Sequence, residues 1–138
     1  MTEDPITTFL RARGVADHLV TGGVEGLVRA WETIAAAIAA GYGLTLDDYL
    51  NDLDVREIIE DTLATMPEPD GPLLDRLRTA DGVVRGATVV GADCLWGEAN
   101  RAAHGWSARA NWWYYAVPKH PGDELTGDLV RNGFALPA

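Results

Sequence analysis

Among 138 residues the chain has one cysteine, Cys94, one lysine, Lys119, and two phenylalanines. A single cysteine excludes an intrachain disulfide and a thiolate zinc site. Long apolar runs are also missing. The longest mostly apolar stretch lies near Ile34–Ala40, whereas a bilayer span needs roughly twenty residues. The opening Met1-Thr2-Glu3-Asp4-Pro5 has neither the basic nor the apolar region of a secretory signal. These absences predict a cytoplasmic location. Scarce lysine with abundant Ala, Gly and Val predicts a bacterial source.

Signatures of chemistry are equally sparse. No His-Glu-x-x-His or Glu-x-x-His pattern occurs, so no helical metal site is expected. Asp48, Asn51, Asp52 and Asp54 have calcium-loop composition without its spacing or turn glycine. Gly22-Gly23 and Gly41-Tyr42-Gly43 lack the lysine of a phosphate loop and the third glycine of a dinucleotide loop. Cys94 has no base in a recognisable local signature and reads as a small core residue. No catalytic residue, metal or cofactor is predicted.

What the chain does have is negative charge, unevenly placed. The net charge is −10. Ten acids and one base, Arg56, fall between Asp47 and Asp75, while residues 76–138 carry six acids and seven bases. Such a face repels nucleic acid and anionic membrane and attracts cationic partners.

The periodicity predicts a mainly α (α+β) fold: a compact helical domain of about six helices with a small two-stranded antiparallel β element, about 86–91 and 111–117. One globular domain, 1–138, is expected, with the proline-rich loop 66–72 inside it. Asp4 suits an N-cap ahead of Pro5, and Gly14 suits the end of that first helix. A short turn over Ala16–Thr21 stops at Gly22-Gly23. Val24, Leu27, Val28, Trp31, Ile34, Ala35 and Ile38 then form one apolar stripe on a helix over Val24–Ala40. Capping signals at Thr45 and Asp54 predict two helices bending near Leu53–Asp54, with their acids forming a continuous outer surface. Pro72 opens a further helix. Gly86–Gly91 and Asn111–Val117 read as strands. Glu98–His104, closed by Gly105, and Asp123–Arg131, closed near Gly133, read as helices.

Aromatics crowd one segment: six of the eleven lie between Trp96 and Tyr115. If Asn111–Val117 were a strand, Trp113 and Tyr115 would face one side and Trp112 and Tyr114 the other. Either helices cover both faces, or one face is a recognition patch.

Two functions are compatible with this pattern. The first is a non-catalytic acidic protein-binding domain of bacterial inhibitor, immunity or antitoxin type. It would act on a basic partner protein through Asp47, Asp48, Asp52, Glu57, Glu60 and Asp61, anchored by Trp112, Trp113, Tyr114 and Tyr115. The alternative is a small-molecule binder or small enzyme with an aromatic-walled pocket at Trp96–Tyr115, lined by Trp96, Glu98, Arg101, His104 and Trp106.

Overall fold

The computed structural model describes residues 5–137. The expected N-cap at Asp4 lies outside them. The helices are α1 (Pro5–Ala12), α2 (Asp17–Gly41), α3 (Leu46–Ala64), α4 (Gly71–Ala87), α5 (Glu98–His104) and α6 (Asp123–Arg131). Two short strands, β1 (Thr88–Val90) and β2 (Ala116–Pro118), pair antiparallel with Val89 opposite Val117. The fold is therefore mainly α with a small β element, as its periodicity predicts. Among the described residues no helix is long and apolar enough to cross a membrane.

Local chemistry explains most boundaries. At the start of α3 the Thr45 hydroxyl accepts from the Asp48 amide at 3.2 Å, and the Asp48 carboxylate accepts from the Thr45 amide at 3.3 Å. That reciprocal pair satisfies two donors the helix leaves open. Asp70 caps α4 by accepting from the Leu73 amide at 3.0 Å. α5 ends at Gly105, whose φ of 71° is open mainly to glycine.

Helix α2 packs most extensively on α4, then on α3. Its buried stripe, Leu27, Val28, Trp31, Ile34, Ala35 and Ile38, faces them. The helix is broken at Gly23, with φ 62° and ψ −157°. The stop expected at Gly22-Gly23 is thus a sharp kink between two helical pieces.

Three expectations need correction. First, α3 runs unbroken from Leu46 to Ala64. Asp54 does not cap a second helix, because its carboxylate faces the aromatic segment instead. Second, α3 has no single apolar stripe. α1, α2, α6 and the aromatic turn all pack on it. Its acids therefore do not form one continuous outer surface, since several point into the fold. Third, Trp112–Tyr115 is a 3₁₀ turn, with only Ala116–Pro118 extended. A strand would send four large rings to two opposite faces. A 3₁₀ turn, at three residues per turn, spreads them in three directions. Likewise Gly86 and Ala87 end α4, so the first strand begins at Thr88.

All four rings of the turn are buried in the hydrophobic cluster that also holds the α2 stripe. The Tyr114 carbonyl accepts from the Leu95 amide and the Tyr115 carbonyl from the Gly91 amide, both at 2.8 Å. Trp113 also lies beneath the Arg56 guanidinium, 4.6 Å from the ring centre. Arg56 is itself buried, and Asp81 accepts from its Nε and Nη2 at 3.0 and 3.1 Å. That pair is fully hydrogen-bonded, as a buried ion pair must be.

Candidate functional site

The aromatic turn brings a set of donors against one side of α3. Asp54 Oδ1 accepts from the Tyr114 hydroxyl at 2.7 Å and from the Trp96 indole at 3.1 Å. One turn on, Glu57 Oε2 accepts from the Asn111 amide at 3.0 Å and from the Trp113 indole at 3.1 Å. Beyond this lie Asp61 and its ion pair with Arg13, 2.7 Å long. The three carboxylates line one cavity of about 550 Å³. Its other walls are Arg13, Gly14 and Val15 after α1, Trp96, Asn100 and His104 around α5, and Trp106 and Tyr114. His104 stacks on Trp106 with ring centres 4.4 Å apart, and Trp106 leans on Tyr114 at 4.3 Å.

A second cavity of about 560 Å³ is lined by Leu46, Asp47 and Leu50 and by Asp128 and Phe134. The two cavities share Trp96 and Asn100, so they meet there. Asp47, Asp54 and Asp61 recur at seven-residue steps, which drift only about 20° around a helix per step. They form a stripe about 20 Å long at 1.5 Å per residue. Both cavities lie beside that stripe and, taken together, are called the trough. Among the described residues its lining contains five carboxylates, one arginine and His104.

Burial raises the pKa of Asp54, against the opposing pull of the Tyr114 and Trp96 hydrogen bonds and of the Arg13 and His104 charges. Burial likewise raises Glu57, reinforced by the Asp61 charge and opposed by Asn111 and Trp113. The Tyr114 hydroxyl is pushed up by burial and by the adjacent Asp54 carboxylate, so it stays a donor. Burial also raises the Cys94 thiol, which keeps it a poor nucleophile.

The residues expected at a partner face separate into distinct roles. Asp47 and Asp48 are exposed, with Asp48 spent on the α3 cap. Asp52 is half-buried and accepts from the Tyr42 hydroxyl. Glu60 is exposed and pairs with Arg56. Glu57 and Asp61 line the trough, together with Asp47. Trp112, Trp113, Tyr114 and Tyr115 are at most 5% exposed. They build the core behind the trough and offer no protruding anchor.

Of the expected pocket, Trp96, His104 and Trp106 do line the first cavity. Glu98 and Arg101 do not. They hold each other by two hydrogen bonds of 2.7 Å on α5, outside it. Sequence reasoning missed Asp54 and Arg13. The seven-residue spacing of the aspartates was the one available signal. Among the described residues no group of three or more His, Cys, Asp or Glu is arranged to hold a metal. Comparison with protein-family models, curated proteins and solved structures finds no match to this chain.

Proposed function

We propose that this chain is a non-catalytic binding domain that takes a basic segment of a partner protein into the trough along α3. The observation that carries this reading is the carboxylate stripe Asp47, Asp54, Asp61, with Glu57 beside it, set opposite the wall of Trp96, Trp106 and His104. A cation on an apolar stem finds both of its needs there, charge from α3 and ring surface from the wall. The length of the trough favours an extended segment over a compact ligand. Asp54 and Glu57 are each tied to two donors of the aromatic segment, which suits fixed electrostatic walls more than proton transfer.

The test uses a fluorescein-labelled octa-arginine peptide as probe. The double variant Asp47→Asn/Asp61→Asn should bind it at least tenfold more weakly than wild type. The variant Asp75→Asn/Glu124→Gln removes the same charge from exposed positions outside the trough and should bind like wild type. Affinity should fall as salt rises. Equal losses in both double variants would mean that net charge alone acts, and would refute a defined site.

A second reading has its own support. The first cavity is within the range of roughly 300–1,000 Å³ typical of small-ligand pockets, and it holds two carboxyls with raised pKa beside His104. On that reading the ligand is a small organic cation. A small cation with a single guanidinium, such as agmatine, would then bind as tightly as the octapeptide, which the extended-segment reading does not allow.

A further inference from the structure

Among the described residues Arg13 is the only arginine lining the trough. It follows the last residue of α1, and its Nη1 donates to Asp61 Oδ2 at 2.7 Å. The two side chains are 35% and 38% exposed, so this ion pair sits at the solvent side of the cavity. The Arg13 charge also acts on Asp54 and Glu57, lowering both carboxyls against burial. Its backbone is fixed independently of that side chain. The Arg13 amide donates to the Phe9 carbonyl and the Val15 amide to the Leu10 carbonyl, with Gly14 at φ 84° between them. The guanidinium can therefore leave Asp61 by rotating a part-exposed side chain, with α1 undisturbed.

Elsewhere the fold seats one guanidinium by two ingredients, carboxylate and ring, and a second by a ring alone. Arg56 is bound by Asp81 and lies over Trp113. Arg85 lies over Trp112, 4.0 Å from the ring centre. The trough offers both ingredients with carboxylates in excess.

We infer that Arg13 is an internal guest of the trough, holding the seat that an arginine side chain of the partner takes, and that the partner displaces it from Asp61 on binding. This rests on reading the trough as a site for a basic segment. Exchange of one guanidinium for another leaves Asp61 paired in both states. Lysine is a poorer replacement, because its ammonium is more strongly hydrated and lacks the planar fork that matches a carboxylate.

The experiment measures binding of labelled octa-arginine and octa-lysine to wild type, Arg13→Gln, Arg13→Lys and Arg78→Gln. Arg78 pairs with Asp75 on α4, outside the trough, and controls for the loss of one positive charge. The expected result is that Arg13→Gln binds octa-arginine about tenfold more tightly than wild type and that Arg78→Gln does not. Arg13→Lys should fall between, and wild type should prefer octa-arginine to octa-lysine by about fivefold. If Arg13→Gln and Arg78→Gln bind alike while wild type binds well, the internal-guest inference is overturned and the trough reading stands. Equal affinity for the two peptides removes the preference for guanidinium. If no protein binds either peptide, the trough reading itself fails. Circular dichroism on each variant separates a lost fold from a lost site.

Discussion

The Oδ1 atom of Asp54 accepts two hydrogen bonds, from Trp96 and from Tyr114, and its carboxylate is half-buried. Hydrogen bonding favours its charged form and burial opposes it, with burial the larger effect. The folded chain therefore keeps this proton to higher pH than the unfolded chain. At low pH both states hold the proton and nothing is lost. As pH rises through the ordinary carboxylate range the unfolded state ionises first, so this group's contribution to stability falls until the folded pKa is passed. Asp54→Asn keeps an Oδ1 acceptor and has no proton to release. Its stability relative to wild type should rise with pH across that window and then level off. Urea midpoints at a series of pH values check this, and a flat or falling difference would contradict it. None of this could be read from residues 54–57 alone. Asp54 followed by Glu57 has the spacing of a capping box, whereas the groups that bind Asp54 lie 42 and 60 residues away. Tertiary partners decided what local spacing left open.

At the scale of elements, the legible parts were those governed by short-range rules. The stripe of α2, the cap of α3, the start of α4 beside Pro72 and the closure of α5 at Gly105 all follow from spacing and capping chemistry. The aromatic run was less legible. Trp-Trp-Tyr-Tyr has strand propensity, and only the need to bury four adjacent rings selects the 3₁₀ turn. Gly22-Gly23 is an instructive intermediate case, since the pair signals a break but not which residue makes it. Gly23 sits at φ 62° and ψ −157°, a region almost closed to residues with a Cβ. Gly22 has a free space where a Cβ would go and no such angle. Gly23→Ala should therefore destabilise the fold by about 1–3 kcal/mol. Gly22→Ala should be neutral or stabilising by up to ~1 kcal/mol, as for glycine replaced within a helix. Thermal or urea unfolding of the two single variants distinguishes them. Equal effects would mean the kink is not held at Gly23.

At the scale of the whole molecule, one hydrophobic cluster joins α2, α3, α4, the aromatic turn and α6 across the proline-rich loop. The loop separates stretches of sequence, not separate cores. Unfolding should accordingly be a single cooperative transition. Tryptophan emission, which reports largely on the second half of the chain, and far-ultraviolet circular dichroism, which reports on all the helices, should give coincident curves. Two displaced curves would show that the halves unfold apart. The same cluster explains how an acidic chain can hold a fixed negative trough. Trp113 and Tyr114 are anchored in the core and present their N–H and O–H groups to Glu57 and Asp54. Self-repulsion among the carboxylates is thus countered from behind, not only by solvent.

The distribution of the five tryptophans has an optical consequence. Trp31, Trp112 and Trp113 are sealed in the core, whereas Trp96 and Trp106 are half-buried and both line the first cavity. Trp106, layered between His104 and Tyr114, has an imidazole neighbour able to quench it. Emission that a dissolved quencher such as acrylamide can reach therefore comes from the trough, and the protein carries a built-in reporter of whatever enters it.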